Sequence, residues 1–328
     1  MKKCFFAFLF SLIGMAGFSQ SLPFPTQRVF LQCTNIDVRW KASKHPWPKK
    51  LWTYQVKTTK FPSTIASNLM GLSNLTEKDR WGYSSAEGVT YYNSESNLRI
   101  AYSEGEIQYD GGRRRYSETN LAVDVPKTNQ LFQLTTNFLP QLGINFSEIP
   151  KTKDGRLKID CTEPELSMFY VGNTIITNIE YRTASFGRLI DGVECDPHVG
   201  SCRINFGEHG RIISIWLYWR NVERDKLYQA ATPKKIIQWM REGKAGFPRD
   251  IYVGMGSEMP IDWSRLKRVT INQATAYNWG ETFFGEREHR PILPSQVIPY
   301  AMLQATFDMG ATNFDASILC PIIDETKP

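Results

Sequence analysis

Between residues 191 and 209 stand Asp191, Glu194, Cys195, Asp196, His198, Cys202, Glu208 and His209, the densest group of reactive side chains in the sequence. Thiolates and imidazoles are ligands for zinc, and carboxylates are ligands for hard cations. The same stretch also reads as covalent chemistry. Cys195 and Cys202 bracket Asp-Pro-His-Val-Gly-Ser, where Pro197 and Gly200 favour a reversal. Zinc sites space paired cysteines more tightly, and export permits disulfides. The expectation is therefore a Cys195–Cys202 disulfide closing a hairpin, with no metal and no cofactor. Elsewhere there is no G-x-S-x-G elbow, no H-E-x-x-H helix and no phosphate-binding glycine loop. Gly254-Met-Gly256-Ser257-Glu258 lacks the second glycine an elbow needs. Glu163/Glu165 and Glu286/Glu288 are next-but-one carboxylates, whereas glycosidase partners normally come from separate elements. No catalytic residue is assigned.

The second kind of chemistry is stacking. Nine tryptophans and 14 tyrosines supply flat rings that can lie on sugars or grip peptides. Trp40, Trp47, Trp81 and Trp263 sit among polar, loop-like neighbours and are the candidate binding aromatics. Trp216, Trp219 and Trp239 lie on regular elements with apolar neighbours and read as core.

The elements that must position these residues centre on Val171 to Gly246. Arg211-Ile-Ile-Ser-Ile-Trp-Leu-Tyr-Trp-Arg220 is the strongest strand. Ile213, Ile215, Leu217 and Trp219 share one face, and Ile212, Ser214, Trp216 and Tyr218 share a mixed one. The helix at 232–243 has Thr232 as N-cap, Pro233 at its first position and an apolar stripe of Ile236, Ile237, Trp239 and Met240. It is expected to cover the 211–220 strand. A second helix runs from Thr128 until Pro140 ends or kinks it. Helix-like segments near 63, 128 and 232 each precede at least two strand-like segments. The expected fold class is α+β: antiparallel β-sheets with helices packed on one face, in repeated α-β-β units.

The order strand, Asp191-Gly192 turn, strand, "GRIISIWLYWR", link, "TPKKIIQWMREG" resembles the PepSY-like segments of YycH/YycI-type cell-envelope proteins. The Arg268–Tyr277 strand and the Pro291-Ile-Leu-Pro294 segment fit the same pattern, so the resemblance covers roughly Asn97 to the C-terminus. It implies a non-catalytic extracytoplasmic interaction domain and carries no catalytic residues.

Met1-Lys-Lys, the apolar run from Phe5 to Phe18 and the small residues of Gly17-Phe-Ser19 make a secretory signal peptide. The domain reading is 1–20 signal peptide, 21–125 strand-rich region and 126–328 PepSY-like α+β region. No later stretch is apolar enough for a transmembrane anchor. Without Cys4 the cysteines are Cys33, Cys161, Cys195, Cys202 and Cys320, an odd number, so at least one stays unpaired or pairs between chains. A net charge of +6 with Arg113-Arg-Arg115 and Lys49-Lys50 as the only clusters lacks the basic face that nucleic-acid binding needs. The functional expectation is a secreted or periplasmic interaction protein whose partner is a protein or a cell-envelope polymer. A carbohydrate- or polymer-binding module using exposed tryptophans is the second reading, and a hydrolase with an unrecognised site is the third. Intact-mass measurement of the exported protein is expected to show loss of roughly the first 19 or 20 residues; uncleaved protein in the cytoplasm would refute it.

Overall fold

The structure is a computed structural model that describes residues 36–81, 87–112, 116–117, 119–161, 164–247, 263–280, 283–284, 291–292 and 296–323. The signal segment 1–20, Cys33, Arg113–Arg115, Glu163, the 254–258 segment and the Glu286/Glu288 pair lie outside these residues. The strands are β1 (Asp37–Trp40), β2 (Lys50–Lys57), β3 (Arg80–Trp81), β4 (Gly88–Tyr92), β5 (Asn97–Ala101), β6 (Glu106–Asp110), β7 (Asp160–Cys161), β8 (Glu165–Val171), β9 (Thr174–Gly187), β10 (Leu189–Ile190), β11 (Val193–Cys195), β12 (Gly200–Phe206), β13 (Ile212–Trp219), β14 (Asn221–Gln229), β15 (Arg268–Trp279), β16 (Phe283–Phe284), β17 (Pro291–Ile292), β18 (Gln296–Asp308) and β19 (Asn313–Pro321). The α-helices are α1 (Ile65–Met70), α2 (Thr128–Phe138) and α3 (Pro233–Arg241).

Two large sheets use nearly all of these strands. The nine-stranded sheet runs β3-β4-β5-β6-β13-β12-β9-β7, with β8 beside β9. The eight-stranded sheet runs β10-β11-β15-β18-β2-β14, with β1 beside β15 and β19 beside β18. Period-two patterning explains the first sheet directly. Leu98, Ile100, Ile107, Tyr109, Ile215, Leu217, Ile204 and Phe186 point into one apolar core, and the residues between them point out. Ile212 rather than Ile213 joins that core, because the β12–β13 register shifts beside Phe206 and turns the strand over by one residue.

This architecture overturns the expected α+β layering and the repeated α-β-β units. Among the described residues half are strand and 17% are helical, so the fold is β-rich. The inner face of the nine-stranded sheet is closed by short pieces: α1, α2, and the 139–149 stretch of 3-10 turns that begins where Pro140 follows α2. There is no continuous helical layer among the described residues.

The strongest local expectations survive, but with different neighbours. Thr232 caps α3 by accepting from the Lys235 N–H (3.4 Å), and Pro233 opens it. Yet α3 does not cover β13. After β13 the chain crosses between sheets, β14 pairs with β2 in the eight-stranded sheet, and only then does α3 begin. Ile236, Trp239 and Met240 therefore join the core of the eight-stranded sheet, with Phe307, Leu319 and Ile323. Nor does a sheet boundary fall at 125/126, since β6 pairs with β13. No helix among the described residues is long and apolar enough to cross a membrane.

Trp239 is buried in that core while the Lys235 and Lys244 ammonium groups lie 5.4 and 5.7 Å from its ring. Trp239→Ala is expected to lower unfolding free energy by about 3–5 kcal/mol. Lys234→Ala, at an exposed site, should change it by less than about 0.5 kcal/mol. Urea titrations of the two variants would distinguish this packing from a loosely docked helix, for which both changes would be small.

Candidate binding face

The outer face of the nine-stranded sheet is as polar and aromatic as its inner face is apolar. One row of residues crosses it in unbroken register. Trp81 stands opposite Thr90, Thr90 opposite Arg99, and Arg99 opposite Gln108. Gln108 then faces Trp216, Trp216 faces Arg203, Arg203 faces Ser185 and Ser185 faces Asp160. Opposed residues of neighbouring strands project to the same side. At about 4.8 Å per strand the row extends roughly 34 Å. A second row beside it holds Glu106, Tyr218 and Ser201, and a third holds Tyr92, Asp110, Ser214, Asn205 and Thr183.

Hydrogen bonds fix the side chains of this face. Arg99 donates to Glu104 (2.7 Å) and to Glu106, and Gln108 Nε2 donates to Glu106 Oε1 at 2.5 Å. Burial raises the pKa of Glu106, and its contact with Glu104 adds to this. Burial also pushes the Tyr218 phenol up to about 12, with the Glu106 charge adding to the shift, so Tyr218 stays protonated and can donate to Glu106. Thr183 Oγ1 donates to Asn205 Oδ1 (2.8 Å), and Asn205 Nδ2 donates to Ser214 Oγ (2.8 Å).

At the β7 end of the row the face deepens into a cavity of about 430 Å³. Its lining includes Trp216, Tyr218, Arg203, Ser185, Asp160 and Ser201, and Cys195 and Pro197 close it from the strand that has left for the other sheet. His198 lies 5.8 Å from the Tyr218 ring, with its Nδ1 3.1 Å from Asp196 Oδ1. This arrangement offers an aromatic floor, a guanidinium, a carboxylate and hydroxyls within one pocket.

Of the expected binding aromatics, Trp81 lies on this face, 70% exposed at its far edge. Trp40 and Trp47 lie elsewhere. They form an edge-to-face pair 6.1 Å apart against the eight-stranded core, and their indole N–H groups donate to Ser43 O and Ala231 O (2.9 Å each). Both are half-buried there, away from the outer face of the nine-stranded sheet. The Trp263 ring lies outside the described side chains. Trp216, expected in the core, is half-buried on the outer face. Its place on the mixed side of β13, between Ser214 and Tyr218, is the sequence signal that finds it.

Of the 191–209 cluster, Cys195 and Cys202 both border the cavity of about 430 Å³, while Asp191, Glu194, Glu208 and His209 lie away from it. Asp191 accepts from Arg224 at 2.7 and 2.9 Å and from Tyr54 OH at 2.8 Å, and the Arg224 hydrogen bonds hold its pKa below the usual carboxylate range. Glu194 is exposed on β11, and Glu208 accepts from the Val123 N–H (3.0 Å). No three His, Cys, Asp or Glu side chains come together as a metal site among the described residues. Cys195 and Cys202 are free thiols. The hairpin expected between them does not form, because β11 joins the eight-stranded sheet and β12 the nine-stranded one. Cys202 packs with Phe186 and Leu217, whereas Cys195 packs with Tyr54, Ile190, Val199 and Val297. His209 sits 3.3 Å from Asp124 beside a cavity of about 300 Å³ lined by Gln130, Gln133 and Asn137. Among the described residues neither a serine nor a cysteine lines that cavity.

Burial pushes the Cys195 thiol up to about 12 and raises those of Cys202 and Cys320 as well. Only the thiolate reacts. In the native protein at pH 8 these three thiols are expected to resist Ellman's reagent and to titrate once the chain is denatured. Prompt reaction of Cys195 in the native state would show that the cavity wall opens. No protein-family model matches the chain, and no curated protein matches it in sequence.

Proposed function

We propose that this protein binds an extended, hydroxyl-rich polymer, a glycan of the cell envelope or its surroundings, along the outer face of the nine-stranded sheet. The observation that carries this reading is the in-register row from Trp81 to Asp160, with Trp216 at its centre. Sugars present apolar ring faces edged by hydroxyl groups. Such a ligand is matched by indole rings for stacking and by fixed donors and acceptors beside them. Trp216 and Tyr218 supply the apolar surface, and Arg203, Gln108, Ser185 and Asp160 supply the polar partners. The face needs little ordering on binding, because the Arg99–Glu106–Gln108 network and the Thr183–Asn205–Ser214 chain already hold its side chains. An extracytoplasmic setting, as the signal peptide implies, is where such polymers occur.

The test is depletion and calorimetry of the mature protein against a panel of soluble and insoluble polysaccharides and peptidoglycan. Trp216→Ala is expected to weaken binding by about 10- to 30-fold, the roughly 1.4–2 kcal/mol of a central aromatic anchor. Trp81→Ala, at the rim, should cost less, and Trp40→Ala should leave affinity unchanged. Absence of binding to every polymer, or full affinity in Trp216→Ala, would refute the proposal.

A further inference from the structure

β8 and the first half of β9 stand out from the rest of the nine-stranded sheet as a two-stranded arm. No charged residue occurs from Leu166 to Ile179, and Glu165 and Glu180 flank the run. Cross-strand register sets Leu166 against Ile179, Met168 against Thr177 and Tyr170 against Ile175. That face is open to solvent: Met168 is 61% exposed, Tyr170 75% and Ile175 53%. Among the described residues β8 pairs with β9 alone, so its other edge carries unpaired backbone groups. Solitary edge strands are normally guarded by lysine, proline or a mid-strand bulge. β8 contains neither residue, and its register shift lies at its very start, between Glu165 and Leu166.

We propose that this edge is the seam of a homodimer, in which β8 pairs antiparallel with β8 of a second copy about a two-fold axis through Met168. The strand is complementary to itself in that arrangement. Met168 meets Met168, Leu166 meets Tyr170 and Ser167 meets Phe169, so apolar side chains oppose apolar ones on the exposed face. The two Glu165 carboxylates fall at opposite ends of the seam, each opposite Val171, and do not repel. The pairing is closed and isologous, so it stops at two copies. It also satisfies the edge N–H and C=O groups, which insertion of a lone hairpin into a bilayer would leave unmet. The axis stands perpendicular to the sheet, so the outer faces of both copies look the same way. Two polymer-binding rows then share one surface, and binding to a long polymer gains avidity. The dimer itself does not depend on the polymer reading.

Sedimentation velocity over about a hundredfold range of concentration should show a monomer–dimer equilibrium. Met168→Lys and Met168→Glu should each be monomeric, and their equimolar mixture should dimerise again, because only at a two-fold axis does residue 168 face its own copy. Met168→Cys should oxidise to a covalent dimer, since opposed Cα atoms at about 4.5–5.5 Å fall within the range a disulfide spans. Ser167→Cys, opposite Phe169, should not. Melting temperatures equal to the parent's check that the charged variants fold. A parent that is monomeric throughout, a dimer that survives Met168→Lys, or charged variants that fail to rescue each other would overturn the proposal. So would vesicle binding by a monomeric parent that Met168→Lys abolishes, which would make the arm a membrane contact.

Discussion

Two buried arginines stand where the chain passes between the sheets, and the hydrogen bonds of Arg188 tie the two crossings together. Arg188 links β9 to β10, and Arg220 links β13 to β14. Arg188 Nε donates to Glu148 Oε2 (2.7 Å), and the Trp219 indole N–H donates to the same oxygen (3.0 Å). The Arg188 guanidinium lies 5.0 Å from the Trp219 ring centroid and donates to the Arg220 carbonyl. Arg188 is buried while Glu148 is one-third exposed, so solvent screens part of this attraction, and removing Glu148 would leave the buried guanidinium without its carboxylate. The backbone is fitted to these side chains. A Cβ at Gly200 would lie 2.3 Å from Arg188 Cβ, and one at Gly105, where φ is +61°, would lie 2.7 Å from Arg220 Cα. Arg220 itself is 2% exposed, with Nε and Nη1 unpartnered among the described residues. Burial lowers its pKa, while the charges of Asp196, Glu104 and Glu106 partly offset that effect.

The same junction shapes the binding face. Crossing at Arg188 sends β11 into the eight-stranded sheet, and the Asp196–Val199 turn then returns the chain to β12. Pro197 is thereby set as the wall of the cavity over Trp216 and Tyr218. The Asp196 carboxylate, itself buried, accepts from the His198 N–H (2.8 Å) and holds the turn. On the other side of the junction, Glu106 joins Arg99, Gln108 and Tyr218 beneath the open row. A rigid crossover between two sheets thus becomes one end of a surface suited to a long ligand.

The sequence shows the pieces of this fold more clearly than their partners. Thr232-Pro233 and the stripe ending at Met240 define α3, and alternation defines β13 down to which side is mixed. Both are local signals, although alternation misplaces Ile212 and Ile213, where the register shift beside Phe206 reverses the strand's faces. That α3 packs against β18 and β19 rather than β13 depends on β14 pairing with β2, some 170 residues earlier. No local pattern encodes such a pairing. The crowding of Cys195, His198 and Cys202 suggests a shared site for the same reason. Cys195 and Cys202 do border one cavity, but their strands join different sheets and set the two thiols in different apolar clusters. Trp216 shows the opposite case: apolar neighbours along the chain suggest burial, but strand periodicity alone decides its face.

The interleaving also dictates an order of assembly. β1 pairs with β15, and Asp37 accepts from Arg268, 231 residues later, at 3.0 Å. Among the described residues β2 pairs with β14 and β18. β1 and β2 therefore lack these partners until β14, β15 and β18 have been made. The strands from β3 to β6 and the later β9, β12 and β13 can build one sheet before the other is complete. Contacts of such long separation slow folding through the entropy of closing large loops. The eight-stranded sheet of this topology cannot close until β14, β15 and β18 are available, whereas β3 to β6 need only their sequence neighbours to pair.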